Sequence, residues 1–138
     1  MPLIGIVCNP QSGKDIRRLL TAATTIDDTE KTNILERILL SAAAVGNQEV
    51  RIMPDRLGYG RLLLQKRNAA GYPGNLSQLR IHEMDTTETQ SDTTFFAAEM
   101  ERLGADALIV MGGDGTSRAA AKGTRKVPTI SLSTGTNN

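Results

Sequence analysis

The sequence has no tryptophan, one cysteine and one histidine. A lone Cys8 rules out an intrachain disulfide and any zinc site built on cysteine pairs, and reads as a buried thiol closing the first strand. His82, equally alone, lacks the partners that metal sites and catalytic triads require, and reads as a polar position on a strand. Two Phe and two Tyr are too few for a base-stacking surface, so the core falls to aliphatic side chains. Charge of one sign is missing too. Sixteen Lys and Arg face 15 Asp and Glu, and no basic run forms a nucleic-acid stripe or a membrane-binding face. No apolar stretch has the length of a membrane span, and the first residues lack the charged start and long apolar core of a secretory signal. A soluble, cytoplasmic protein is expected, with neither nucleic acid nor membrane as partner.

What the chain does have is alternation. Its 138 residues suit one domain with a real core. Short β-like runs at 3–8, 49–53, 79–84, 107–111 and 128–132 are separated by longer helical ones. Ile34, Leu35, Ile38, Leu39 and Ala42 place a helix over 29–45, with Asp27 or Asp28 as cap and Gly46 as stop. Phe96, Met100 and Leu103 place another over 91–103, ended by Gly104, and the Asp85 and Glu88 spacing leaves an earlier start open. A shorter helix after Lys14 would bury Ile16, Leu19 and Leu20. Between 55 and 75, Gly58, Gly60, Gly71, Pro73 and Gly74 surround a helical piece at 61–70, which reads as a flap. Its Arg61, Lys66 and Arg67 face either an anionic ligand or solvent. The β-α order predicts right-handed crossovers and a three-layer α/β/α domain, its mainly parallel sheet covered on both faces and with no internal linker.

The chemistry concentrates in the polar loops that follow strands. Met111-Gly112-Gly113-Asp114-Gly115-Thr116 lies between an apolar run and a helix-forming stretch. Glycines let the backbone approach a bulky anion, and the N–H groups that open the helix point outward to meet it. Asp114 would repel that anion unless it binds Mg²⁺ or takes a proton from an attacking hydroxyl, which points to phosphoryl transfer. The same tetrapeptide is also ordinary turn chemistry, with Asp114 as a helix N-cap. Two further loops favour the first reading. Asn9-Pro10-Gln11-Ser12-Gly13-Lys14 and Ser133-Thr134-Gly135-Thr136-Asn137-Asn138 are again polar, glycine-containing and placed after a strand. In an open parallel sheet such loops emerge at the carboxyl edge, where ligands bind.

Asn-Pro-x-Ser-Gly-Lys at 9–14, Gly-Gly-Asp-Gly-Thr at 112–116 and Gly-Thr-x-Asn at 135–138 together resemble the nucleotide-binding domain shared by NAD kinases and diacylglycerol-type lipid kinases. Within that superfamily, residues 9–19 together with 131–138 are most similar to the ATP-NAD kinase-like proteins of acetoin-catabolism operons, the X protein type. The resemblance implies a phosphofructokinase-like nucleotide-binding fold that uses ATP and Mg²⁺, with NAD as the acceptor. Asn9, Ser12, Gly13 and Lys14 would contact nucleotide phosphate, and Gly112, Gly113, Gly115 and Thr116 would line the phosphates. Asp114 would act on the acceptor hydroxyl, while Thr134, Gly135, Thr136 and Asn138 would approach the nucleotide. The first loop is not a Walker loop, because Asp15 follows Lys14 where Ser or Thr is required.

The family builds its active site between this domain and a β-rich domain that follows it. A polar loop ending at Asn138 is therefore expected to lead onward, and an apolar face bared without that domain would favour self-association. Three functions remain open: NAD kinase, lipid kinase, and a nucleotide-binding regulator without turnover. Arg118-Ala119-Ala120 leans toward the first, and the Gly-Thr-x-Asn ending mildly toward the second.

Overall fold

The structure, a computed structural model, describes residues 2–9, 28–46, 48–68 and 79–134. Its strands are β1 (Leu3–Cys8), β2 (Glu49–Ile52), β3 (Leu79–Ile81), β4 (Ala107–Gly112) and β5 (Thr129–Ser133). Helices α1 (Asp28–Val45), α2 (Tyr59–Arg67), α3 (Gln90–Arg102) and α4 (Asp114–Gly123) fall between them. All strand pairs are parallel, and the sheet order is β3-β2-β1-β4-β5. The chain therefore winds outward from β1 in one direction, then crosses back to place β4 on its other side.

Central β1 is buried on both faces, which is why it reads as the nearly unbroken apolar run Leu3-Ile4-Gly5-Ile6-Val7-Cys8. Leu3 and Val7 point toward α3 and α4, where Phe96, Ala97, Met100, Leu108, Val110 and Ala120 close one core. Ile6 and Cys8 point the other way, into a second core with Leu35, Leu39, Tyr59, Leu63 and Met111. Two cores on opposite faces make the expected three layers. Each fully buried aliphatic side chain contributes about 1.5–3 kcal/mol relative to exposure. Cys8 is completely buried, as its place at the end of β1 implied.

Close approach is written into two glycines. A Cβ at Gly123 would meet the Thr94 carbonyl oxygen and Ala97, so the end of α4 lies directly on the α3 backbone. A Cβ at Gly60 would sit 2.7 Å from Ile52 Cγ2, which lets the first turn of α2 rest on β2.

Several element ends differ from their sequence expectation, each for a local reason. β3 stops at Ile81 rather than 84, because β2 ends at Ile52 and that residue is the ladder partner of Ile81. His82 consequently lies just past the strand, not on it, and is buried, although its N–H still donates to the Ile52 carbonyl at 2.9 Å. The Asp85 and Glu88 pair does not start α3. Glu88 takes a φ of 60°, turning the chain before the helix, and Thr89 is the cap, its Oγ1 accepting from Ser91 N at 3.2 Å. α2 begins two residues earlier than the 61–70 reading, because Asp55 accepts from Gly58 N and Tyr59 N at 2.7 and 3.2 Å. Of its basic residues, Arg61 is exposed and Lys66 pairs with Glu36 of α1 at 2.9 Å. The helix expected after Lys14, the Asp27 cap and the 69–75 part of the flap lie outside the described residues.

Candidate functional site

Sheet order creates the site. β2 and β3 lie on one side of β1 and β4 and β5 on the other, so the carboxyl ends of β1 and β4 form a topological switch point, the usual ligand crevice of such sheets. Asn9, the first residue beyond β1, is held there by its main-chain N–H, which donates to the Met111 carbonyl at 3.0 Å. Its side-chain Nδ2 donates to Thr116 Oγ1 at 2.8 Å, tying the first loop to the first turn of α4. Thr134 N donates to the Gly112 carbonyl at 3.2 Å, which brings in the third loop. Asn9 after β1, the turn after β4 and Thr134 after β5 are thus joined through hydrogen bonds at one edge.

The glycine turn shows why small residues stand there. A Cβ at Gly112 would lie 2.6 Å from both Cβ and Oγ1 of Thr116, so glycine lets Thr116 fold under the strand end and stay almost fully buried. A Cβ at Gly115 would lie 2.7 Å from Gln90 Nε2, placing the start of α3 against the turn. Gly113, extended with φ −90° and ψ −169°, is the N-cap of α4. Asp114 is therefore not the cap. It is an exposed carboxylate in the first helical turn, where a negative charge complements the helix dipole and remains open to solvent. Asn9, Gly112, Gly113, Asp114, Gly115, Thr116 and Thr134 are brought to this edge, while Ser12, Gly13, Lys14, Gly135, Thr136 and Asn138 lie outside the described residues.

A cleft of about 400 Å³ adjoins these loops. Among the described residues its wall is formed by Asn9, the segment after β2 (Met53, Pro54, Asp55, Arg56), the approach to α3 (Thr86, Glu88, Thr89, Gln90) and Asp92 and Thr93 in its first turn. Gln90 borders both the cleft and Gly115, so cleft and glycine turn are continuous. Motif reading misses these two walls. A signal for them exists, since Pro54-Asp55 and the threonine-rich run at 86–89 are also polar stretches leaving the carboxyl ends of strands. Buried Asp92 holds the second wall, accepting from Thr87 N, Thr87 Oγ1 and Glu88 N at 2.8, 2.8 and 2.9 Å. Burial pushes the Asp55 carboxyl above the usual carboxylate range, against the N–H donors of Gly58 and Tyr59.

His82 anchors the root of the same wall. Its ring meets Phe96 edge-on at 5.5 Å, its Nδ1 lies 3.4 Å from Arg51 Nη1, and its Nε2 lies 3.8 Å from Glu99 Oε1. Nε2 makes no hydrogen bond. Burial, helped by Arg51 and Arg102 and opposed by Glu99, holds the imidazole below the usual histidine value. The unfolded chain then takes up the proton first as pH falls, so stability is full above about pH 6.5 and declines below it. His82 is the sole histidine. Urea midpoints measured from pH 8 to pH 5 are expected to fall, and His82→Gln is expected to flatten the curve; an unchanged slope in the variant would assign it to carboxylates.

A doubly wound α/β domain with a glycine turn at its switch point belongs to a class of architecture that commonly binds nucleotides there. Residues 4–138 match the ATP-NAD kinase N-terminal domain, and the chain belongs to that family. It is 39% identical over 139 residues to the acetoin catabolism protein X of Cupriavidus necator, a match covering 99% of this chain and 38% of that protein. The chain thus spans about two fifths of the length of this relative. No solved structure matches it. Among the described residues no helix is long and apolar enough to cross a membrane, and no three His, Cys, Asp or Glu side chains cluster as a metal cage.

Proposed function

We propose that this domain binds ATP at the carboxyl edge of β1, β4 and β5, and that the protein it serves transfers the γ-phosphoryl group to the ribose 2'-hydroxyl of NAD. The observation that carries this reading is the pair of hydrogen bonds joining the loops, Asn9 to Thr116 and Thr134 to Gly112. Membership of the ATP-NAD kinase family supports it. Asn9, Ser12, Gly13 and Lys14 are assigned to phosphate by their motif, with Lys14 as a point charge and N–H groups and hydroxyls as donors. Gly112, Gly113, Gly115 and Thr116 are assigned to the phosphates as well, and Thr134, Gly135, Thr136 and Asn138 to the nucleotide. Asp114 takes the proton of the acceptor hydroxyl. That oxygen then bonds to the γ-phosphorus as the bond to the bridging β,γ-oxygen breaks and ADP leaves.

Mg²⁺ suits these residues only as a passenger of ATP. Phosphate oxygens would supply most of its ligands, and Asp114, if not the proton acceptor, would offer a carboxylate at the exposed turn. When bound it neutralises charge on the phosphates. A second reading draws on the relative's name, which belongs to acetoin catabolism: a nucleotide-binding regulator with binding but no turnover.

Amide resonances of the ¹⁵N-labelled domain during titration with MgATP test the placement. Asn9, Gly112, Gly113, Gly115, Thr116 and Thr134 are expected to shift together. Perturbation confined to the opposite edge of the sheet would overturn the reading.

A further inference from the structure

We propose that Asp92 is a positioning residue for the nucleotide, holding Glu88 in the left-handed backbone conformation that shapes the cleft wall beside the glycine turn; the proposal rests on the nucleotide reading above. Asp92 occupies the third position of α3 and is buried. Burying a carboxylate is costly unless donors surround it, and the helix already has its cap in Thr89. The usual acidic residue at this position reaches back to the N–H of the cap itself. Asp92 reaches past it, accepting from Thr87 N at 2.8 Å, Thr87 Oγ1 at 2.8 Å and Glu88 N at 2.9 Å.

The residue it grips is strained. Glu88, at φ 60°, is the one residue other than glycine with a positive φ among the described residues. Such a conformation persists only where the surroundings over-determine it, and it recurs at ligand clamps. Here it sets how the chain enters α3: Thr87 turns its hydroxyl in to Asp92, while Thr86, Glu88, Thr89 and Gln90 line the cleft. Gln90 lies against Gly115, so the wall that Asp92 fixes runs into the turn assigned to phosphate. The helix that carries Asp92 is itself tied on two sides. Thr93 Oγ1 donates to Met53 Sδ on the other wall at 3.9 Å, and Thr94 Oγ1 donates to the Ala119 carbonyl of α4 at 2.7 Å. Released from Asp92, Glu88 leaves the left-handed region in most molecules, and apparent affinity falls by the fraction that keeps the wall in place.

Binding of MgATP to residues 1–138 is followed by NMR titration in the wild type, Asp92→Asn, Glu88→Gly and the double variant. Asparagine keeps the size and one acceptor oxygen but loses the other. Asp92→Asn is expected to weaken MgATP by about tenfold, the order by which residues other than glycine disfavour the left-handed region. Glycine adopts that region freely, so in the Glu88→Gly background the same substitution is expected to cost about threefold or less. A residue that supported only overall stability would give the same loss in both backgrounds. If Asp92→Asn fails to fold, Thr87→Val takes its place in the cycle, removing the hydroxyl donor to the carboxylate. Unchanged MgATP affinity in the variant, or an equal loss in the two backgrounds, would overturn the role assigned to Asp92 while leaving nucleotide binding in place. Absence of MgATP binding by the wild-type chain would overturn both readings together.

Discussion

Asp114→Asn is expected to lower NADP formation by about 10²- to 10⁴-fold in a longer, active protein carrying this domain, the usual reach of a general base. The substitution leaves size and shape intact and removes only the charge. Asp114 is exposed and Gly113 is the cap, so α4 loses no capping bond. The remaining structural cost is the charge–dipole interaction in the first helical turn, about 0.3–1 kcal/mol at a surface site. Melting temperature should therefore hardly move while turnover collapses. Metal-free nucleotide affinity is expected to stay level or improve, because a carboxylate beside phosphate is repulsive. Steady-state kinetics together with ATP titration in EDTA separate these effects. Near-normal turnover in the variant would leave Asp114 as a helix-start charge and would move the chemistry elsewhere in the cleft.

The fold was legible where physics leaves few choices. A strand buried on both faces must be apolar throughout, so residues 3–8 could hardly be anything but β1. The α1 helix declares itself through apolar residues at helical spacing, with Leu35 and Leu39 buried in the core and Gly46 beyond its end. Ends that depend on a neighbour were not legible. His82, Glu83 and Met84 continue a strand-like alternation, yet pairing stops at Ile81 because β2 has run out of partner residues. β4 likewise gains Gly112, which pairs with Ser133 when β5 starts at Thr129. The start of α3 depends on Glu88 turning to a positive φ, stabilised by Asp92 from within the helix, and a local spacing rule does not anticipate that.

The site divides in the same way. That polar loops leave strands at one edge follows from parallel pairing alone, so the convergence of the loops after β1, β4 and β5 was readable from residue order. The contacts that lock them were not. Asn9 to Thr116 spans 107 positions and depends on Gly112 lacking a side chain, which no single motif encodes. The walls after β2 and β3 obey the same edge rule, but they carry no familiar glycine pattern.

Residues 1–138 alone are expected to form little or no NADP, with activity appearing in a protein that continues into the region covering the rest of its relative's length, of which this chain matches 38%. Phosphoryl transfer depends mainly on positioning and on charges acting in a site shielded from water. Asp114 is exposed, and β5, which carries the third loop, leaves Thr129, Ile130, Ser131 and Ser133 open to solvent, with Ile130 at 55%. Charges on so open an edge interact with the transferring group through high-dielectric water, where a unit pair at 4 Å is worth about 1 kcal/mol rather than the several available beneath a closed surface. On the proposed reading, so open an edge is expected to hold a nucleotide without aligning an acceptor hydroxyl with it. A coupled assay for NADP on both proteins at equal concentration decides the matter. Sedimentation alongside it shows whether the open apolar side chains drive self-association of the short form. Equal activity in the two would mean that the domain contains a complete active site, with the acceptor held by the cleft between Asn9, Arg56 and Gln90 rather than by a second wall.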